Sequence, residues 1–337
     1  MKRDKALHFR FRCDAGARHG LGHLMRCLSV AHELAACGHV CSFAVNAPPD
    51  MTDRIVDSGY PVIAVEQGTG TDAPEIWLGG RTDMLIVDSK DVDGKYIEQC
   101  RAHCPVACFD DEVARSFQCD VIINNHLWGA VSDYQVDDAC RLFIGPEYNT
   151  VSPSYFDVRD ERRCGLLISL GGEDPQNHTA WLIDTLASEM GDLPIHVCIG
   201  PAHPNPASVL DVCARSLPCA TVYRAPASLL EPISKCHLAL SAGGTTCYEL
   251  AAAGVAMAIV AVEEHQLRMQ AAFVDQGAAL SLREGKKSDP EVAIAVFRQL
   301  KRNDVACSLA RAARALFAKS GVEIIAARLI EVARRNG

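Results

Sequence analysis

The segment Gly20-Leu21-Gly22-His23-Leu24-Met25-Arg26 sets a histidine and an arginine three residues apart at the opening of an amphipathic stretch that runs to Ala36. It follows directly on the apolar–polar alternation of His8 to Arg12. Two glycines let a turn pass close to a ligand, and a helix start offers unpaired N–H groups with the positive end of the helix dipole. Neutral imidazole at such a point is the form that a general base requires; a histidine making only a local hydrogen bond has the same sequence signature. Carboxylates sit at the ends of three strand-like runs: Asp14 past the first, Asp88 closing Met84 to Asp88, and Asp110 with Asp111 after Val106 to Phe109. In an open parallel sheet these positions face the ligand crevice, where they can accept from hydroxyls or orient His23, although a solvated aspartate at a loop start has the same pattern.

The second half carries two glycine turns. Ser169-Leu-Gly171-Gly172-Glu-Asp174 closes one apolar run, and Ser241-Ala-Gly243-Gly244-Thr245-Thr246 closes another and opens a helix bearing Glu249. Backbone N–H groups and hydroxyls at a helix start form a cradle for a diphosphate, and Glu249 can take the diol of a ribose between its oxygens. A glycine turn needed only for tight packing is the alternative. Neither turn is a Walker motif, because no lysine follows the glycines. Glu263-Glu264-His265-Gln266 follows a further strand and is expected at the same edge. Asp91-Val-Asp93 has the spacing of a carboxylate metal pair but lies in an expected loop, and no metal site is expected.

These residues need a scaffold that brings strand ends together, and the rest of the chain has the rhythm of one. Short apolar runs alternate with amphipathic segments of helix length. The strands expected are His8 to Arg12, Val40 to Val45, Val62 to Val65, Met84 to Asp88, Val106 to Phe109 and Val121 to Ile123, then Gly165 to Leu170, Ile195 to Ile199, Thr221 to Tyr223, Leu238 to Ser241 and Ala256 to Val260. This is the pattern of βαβ units and parallel sheets covered on both faces. With 337 residues, two Rossmann-like α/β domains are expected, 1–150 and 151–337, with their boundary between Pro146 and Arg163 and the last helix able to cross back to the first domain. A crevice outside the carboxyl ends of the strands is the expected ligand site.

The formal net charge of −9 is unevenly placed: residues 1–160 hold 15 Lys+Arg against 24 Asp+Glu, and the remainder holds 18 of each. An acidic chain without a basic run is not expected to bind nucleic acid or an anionic membrane surface. No membrane span is expected, since the longest low-charge stretch, Leu238 to Val262, contains Glu249 and a glycine-rich turn. The opening residues lack the ~7-residue apolar core of a secretory signal, so a cytoplasmic location is expected. There the 16 cysteines read as free, mostly buried thiols, including Cys100, Cys104 and Cys108, whose side chains would diverge from helix to strand.

The motifs taken together resemble a family: the nucleotide-sugar hydrolases of pseudaminic acid biosynthesis (PseG) with the SpsG spore-coat polysaccharide proteins, built on the GT-B fold of MurG-like glycosyltransferases. The elements that carry the resemblance are Arg12-Cys-Asp14, Gly20-x-Gly22-His23-x-x-Arg26, Phe109-Asp-Asp-Glu112, Cys119-Asp-Val-Ile-Ile-Asn124, Gly145-Pro-Glu-Tyr148, Gly171-Gly172-x-Asp174 and Ala242-Gly243-Gly244-Thr245 with Glu249 and Gln266. The resemblance implies that the second domain holds UDP and the first supplies chemistry to the sugar. His23 would be the general base, with Asp14 and Lys90 beside it. Gly20, Gly22, Arg26, Asp88, Asn124, Gly171, Gly172 and Asp174 would line the substrate site. Ser241, Gly243, Gly244, Thr245 and Thr246 would hold the diphosphate, Glu249 the ribose and Gln266 the sugar or distal phosphate. Metal-independent hydrolysis at the anomeric carbon with inversion is implied, with no cofactor and a UDP-sugar as small-molecule partner.

One position departs from the family. Where the hydrolases have Asp-His-Tyr at the end of the fourth strand, this chain has Asp88-Ser89-Lys90. A lysine brings a cation in place of a phenol, suited to a carboxylate or phosphate, unless it points to solvent. An inverting transferase using His23 on an acceptor hydroxyl, and a non-catalytic nucleotide-sugar binding protein, are the alternative readings. A dinucleotide oxidoreductase is disfavoured, because Gly20-x-Gly22 lacks the third glycine and no acid follows the second strand near Val45.

Overall fold

The structure is a computed structural model that describes residues 5–16, 21–65, 72–111, 118–159, 163–264, 266–282 and 289–336. In chain order the elements are β1 (His8–Asp14), α1 (Gly22–Ala36), β2 (Val40–Asn46), α2 (Pro49–Asp57), β3 (Val62–Ala64), α3 (Pro74–Trp77), β4 (Met84–Asp88), α4 (Gly94–Arg101), β5 (Val106–Phe109), β6 (Val121–Asn124), β7 (Arg141–Ile144) and α5 (Pro153–Phe156). There follow β8 (Gly165–Ser169), α6 (His178–Met190), β9 (Ile195–Ile199), α7 (Pro206–Ser216), β10 (Thr221–Arg224), α8 (Leu230–Lys235), β11 (Cys236–Ala242), α9 (Thr246–Ala252), β12 (Ala256–Val260), α10 (Gln266–Asp275), β13 (Ala279–Leu282), α11 (Pro290–Leu300), α12 (Asn303–Ala315) and α13 (Val322–Asn336). The chain divides into two compact units, the first made of Met1–Val151 with Ser320–Gly337 and the second of Ser152–Lys319.

Unit 1 is built on a parallel sheet in the order β3-β2-β1-β4-β5-β6-β7. β1 alternates strictly. Phe9, Phe11 and Cys13 enter a core shared with Leu24, Leu28 and Ala31 of α1 and with Ile325 and Leu329 of α13. Phe11 and Phe43, paired in register across β1 and β2, stack at 4.8 Å between ring centroids. A fully buried phenylalanine contributes about 1.5–3 kcal/mol. The opposite face of β1 is polar yet buried, and its charges are matched: Arg12 reaches Asp14 at 2.5 Å and Asp72 at 3.0 Å. Arg10 donates to Ser42 Oγ and the Trp77 carbonyl.

The return of the chain to unit 1 depends on one glycine. Gly321 donates its N–H to the Asn149 carbonyl, and a Cβ at 321 would lie 2.4 Å from the Glu147 carbonyl oxygen and 2.6 Å from the Asn149 backbone. Close backbone approach of this kind admits only glycine.

Unit 2 repeats the plan with the parallel order β10-β9-β8-β11-β12-β13. Its core joins Leu166 and Ile168 of β8, Leu238 and Leu240 of β11, and Leu182 and Leu186 of α6 with Phe297 of α11. Two edge strands were not expected from sequence, β7 and β13. Their runs, Arg-Leu-Phe-Ile and Ala-Leu-Ser-Leu, are short and only half buried, so they carry neither the continuous apolar character of a central strand nor a clean alternation. Cys100, Cys104 and Cys108 lie in an apolar cluster, where burial pushes the Cys100 thiol up to about 12 and the Cys104 thiol up to about 11. No helix among the described residues is long and apolar enough to cross a membrane.

Candidate functional site

Each sheet has a point where successive connections leave in opposite directions, and open α/β sheets bind ligands outside the carboxyl ends of the strands there. In unit 1 this point lies between β1 and β4. α1 begins at Gly22, so His23 stands in its first turn, and Asp88 is the last residue of β4. His23 Nδ1 lies 2.7 Å from Asp88 Oδ1. Arg26 Nη2 also lies 3.1 Å from His23 Nδ1, but a nitrogen cannot donate to Asp88 and accept from Arg26 together. The shorter contact, to an acceptor-only carboxylate, assigns the proton to Nδ1 and the lone pair to Nε2. The His23 side chain retains 11% exposure, against 1% for Asp88.

Arg26, one helical turn on, presents its guanidinium to the same carboxylate and to a second one. Its Nε donates to Asp88 Oδ2 at 2.5 Å, its Nη2 to Asp88 Oδ1, and its Nη1 to Asp111 Oδ1 at 2.7 Å. The guanidinium carbon sits 4.5 Å from the centre of the Phe109 ring. Burial alone would raise the Asp88 carboxyl, but Arg26 and then His23 outweigh it and hold the group below the ordinary carboxylate range. Asp111, half-buried, is held well below that range by Arg26 and His126. His126 Nε2 is 2.9 Å from Asp111 Oδ1, and its ring stacks on Trp128 with centroids 4.2 Å apart. The result is a continuous series, His23, Asp88, Arg26, Asp111 and His126, fixed at the strand ends.

The other unit 1 residues singled out from sequence take different places. Asp14 does not reach His23. It is 1% exposed, with Oδ1 accepting from Arg12 Nη1 at 2.5 Å and Oδ2 accepting from Ser89 Oγ. Asp88, expected in the substrate site, is the carboxylate that orients the histidine, and Arg26 is buried among carboxylates. Asn124 is fully buried, accepting from the His126 N–H at 3.0 Å and donating to Tyr134 at 2.9 Å, so it braces the loop that carries His126. Lys90 is exposed two residues beyond Asp88. Asp93 accepts from the Tyr96 N–H at 2.8 Å and caps α4. Gly20 and Glu112 lie outside the described residues.

In unit 2 the corresponding point lies between β8 and β11, and both glycine turns stand there. Gly171 has φ +88°, and a Cβ at Gly200 would come within 2.3 Å of the Gly171 and Gly172 carbonyl oxygens. These glycines therefore let two strand-end turns touch. Asp174 accepts from the His178 and Thr179 N–H groups, both at 2.8 Å, and is 2% exposed, so its carboxylate fastens the start of α6 instead of lining an open surface. Ser241 is likewise turned inward, fully buried with its hydroxyl donating to the Ala242 carbonyl.

Gly243 receives the start of α10: a Cβ there would lie 2.7 Å from the Gln266 carbonyl oxygen. Gln266 Oε1 accepts from the Val262 N–H at 3.0 Å, which fixes the side chain beside the turn. His265 lies outside the described residues. Gly244 and Thr246 are half-buried and Thr245 is exposed. Glu249, in the first turn of α9, is half-buried, and burial pushes its carboxyl up to about 7 against a smaller lowering influence of Tyr155 of α5.

No protein-family model matches the chain. Among proteins of known sequence, the spore coat polysaccharide biosynthesis protein SpsG of Bacillus subtilis is 22% identical over 303 residues, which cover 86% of this chain and 87% of that protein. The UDP-2,4-diacetamido-2,4,6-trideoxy-beta-L-altropyranose hydrolase of Campylobacter jejuni is 24% identical over 174 residues, 50% of this chain and 61% of the hydrolase. An uncharacterized protein of Methanocaldococcus jannaschii is 24% identical over 202 residues, 56% of this chain and 41% of that protein. The chain thus spans less than two thirds of the archaeal protein and of the hydrolase. Among solved structures, Acinetobacter baumannii MurG superposes with a TM-score of 0.64 at 17% identity, covering 96% of this chain and 99% of MurG. Anabaena HepE, solved with UDP and glucose, superposes at 0.60 with 13% identity, covering 96% of this chain and 98% of HepE. The chain is a PseG/SpsG-like protein of the GT-B fold.

Two residues of this site have no role that can be read from sequence. Asp111 was one of several strand-end acids, with nothing to mark it as the second anchor of Arg26. His126 follows a β-strand in a loop whose course cannot be read locally.

Proposed function

We propose that the chain acts on a nucleotide sugar, with unit 2 holding the nucleoside diphosphate and unit 1 supplying the base. The observation that carries this reading is the His23–Asp88 pair at 2.7 Å. With the Nδ1 proton committed to Asp88, Nε2 takes a proton from water. The water oxygen attacks the anomeric carbon from the face opposite UDP, the bond from that carbon to the UDP oxygen breaks, and its electron pair leaves with UDP. Asp88 stabilises the imidazolium that forms, as a carboxylate partner does in nucleophile-activating triads. Backbone N–H groups of Gly243, Thr245 and Thr246 meet the charge developing on the leaving diphosphate, while the Gly244 N–H closes the turn on the Ala242 carbonyl. Glu249 receives the ribose hydroxyls, and the free amide end of Gln266 receives the sugar or distal phosphate.

The products are UDP and a free sugar with inverted anomeric configuration. A deoxy, acetamido-type sugar is the class of substrate we favour, supported by the activity for which the Campylobacter relative is named. UDP as the nucleotide is supported by that name and by the HepE complex. Lys90, exposed beyond β4, supplies a cation where the hydrolases have a tyrosine.

The match to SpsG along most of both chains supports a second reading, in which an acceptor hydroxyl replaces water at Nε2 and the sugar is transferred. Incubation with UDP-linked acetamido sugars, followed by proton NMR of the anomeric signals, separates the two. Release of UDP and free sugar without an acceptor supports hydrolysis, and turnover only when an acceptor is added supports transfer. Binding of UDP-sugars with no turnover in either condition contradicts both and leaves a binding protein.

A further inference from the structure

We propose that Asp111 is a specificity-determining residue of unit 1, its Oδ2 accepting a hydrogen bond from a hydroxyl or amide N–H of the sugar whose anomeric carbon stands at His23. This rests on the nucleotide-sugar reading given above. Asp111 lies just past the end of β5, the neighbour of β4 in the sheet, so it shares a strand-end edge with Asp88. Arg26 joins it to the base. Nη2 of Arg26 lies 3.1 Å from His23 Nδ1, and Nη1 donates to Asp111 Oδ1 at 2.7 Å. One guanidinium therefore separates the histidine from the carboxylate, a spacing that a single sugar ring can bridge.

The two oxygens of this carboxylate have different surroundings. Oδ1 takes the Arg26 hydrogen bond, and His126 Nε2 approaches the same atom at 2.9 Å. Among the described residues, no hydrogen bond reaches Oδ2. The Asp111 side chain keeps 22% exposure, against 6% for Arg26, so the series that is closed at Asp88 opens at Asp111. Asp88 by itself matches the single charge of Arg26, and Asp111 brings a second carboxylate beyond that need. Its position is set before any ligand arrives: Arg26 holds one side, and His126 holds the other, with its ring stacked on Trp128 and its backbone N–H bonded to Asn124 Oδ1. Binding to such a group costs little side-chain freedom. An ionised carboxylate can only accept, so the ligand group that faces it must carry a proton to donate. A sugar with a hydroxyl or N-acylamino group at that point is selected, and one lacking it is rejected.

The test uses the full chain in a His23→Ala background, which stops turnover, with Asp111→Asn or Asp111→Glu added to it. Asn keeps the shape and removes the charge; Glu keeps the charge that Arg26 needs and moves the oxygen. UDP, UDP-N-acetylglucosamine, and analogues of the latter that each lack one hydroxyl or the amide are titrated calorimetrically. Loss of a hydrogen bond to an ionised acceptor is expected to weaken UDP-N-acetylglucosamine binding about 10- to 100-fold in Asp111→Asn, with UDP itself unaffected. Without an Asp111 substitution, one analogue should be weakened by a similar factor. For that analogue alone, Asn or Glu at 111 should make no further difference, the pattern of a contact already lost. A residue that only anchored Arg26 would weaken every sugar ligand equally, so equal losses across the analogues overturn the proposal. Unchanged affinity for UDP-N-acetylglucosamine in both variants does so as well. Failure of the His23→Ala chain and of wild type to bind UDP overturns instead the nucleotide reading on which the sugar contact rests.

Discussion

His23 and Asp88 are bonded at 2.7 Å although 65 residues separate them in sequence. The parallel order of β1 and β4 brings them together, because it places the start of α1 over the end of β4. Replacement of Asp88 by Asn would keep the shape and present an amide where the proton acceptor stands. The expected result is a loss of turnover of about 10²–10⁴-fold, from an imidazole released into the wrong tautomer. Steady-state rates with a UDP-sugar check this. A variant within threefold of wild type would contradict the orienting role of Asp88.

Arg26 is a buried cation shared by two carboxylates, so removing it leaves Asp88 and Asp111 without their main compensation. Arg26→Ala should lose about 3–5 kcal/mol of stability, since one partner of a buried pair is removed. Arg26→Lys should recover only part of that, because a point charge cannot reproduce the fork. Urea unfolding of the two variants measures the difference, and equal stability of both with wild type is the contrary outcome.

The low carboxyls of Asp88 and Asp111 set the acid limit. Their ordinary values lie near 4, and a depressed folded-state value contributes stability that is present above that region and lost as pH falls through the folded values. Unfolding free energy should therefore drop below about pH 4, and less steeply in Asp111→Asn. Glu249 acts in the opposite sense. Its carboxyl is raised from 4.5 to about 7, so the folded state holds a proton that the unfolded state releases, and stability declines as pH rises through that window. Glu249→Gln should remove this decline. Urea midpoints at half-unit intervals from pH 3 to 8 check both signs.

Gly321 carries the returning chain against the backbone of Glu147 and Asn149. Gly321→Ala should destabilise by about 1–3 kcal/mol through overpacking and loosen α13 from the core it shares with α1. Hydrogen exchange along α13 checks this. Unchanged protection would show that the close approach yields easily.

The alternation and the βαβ rhythm made the parallel sheets legible, and Met84–Asp88, Val106–Phe109, Ile195–Ile199 and Ala256–Val260 have the bounds expected of them. The edge strands β7 and β13 were not legible, since a short half-buried run has no distinctive pattern. At the site, sequence drew attention to His23 and to four acids at three strand ends but could not rank them. Asp14 could have been set aside by one local signal: Arg12 and Asp14 are two apart on a strand, hence on one face, and form an ion pair at 2.5 Å. The pairing of Arg26 with Asp111, and of Asp111 with His126, depends on which elements the fold makes neighbours. No spacing in the sequence encodes it. Ser241 and Asp174 lie in glycine turns of the right kind, yet one hydroxyl and one carboxylate are taken by the backbone around them.

The central claim is that Nε2 of His23 removes the proton from the attacking water, and His23→Ala tests it most directly. Turnover of a UDP-linked acetamido sugar and calorimetric affinity for UDP are measured on wild type and variant in parallel. Loss of sugar release by at least about 10²-fold with UDP affinity within threefold of wild type is the predicted result. Undiminished release of UDP and sugar by His23→Ala would contradict it.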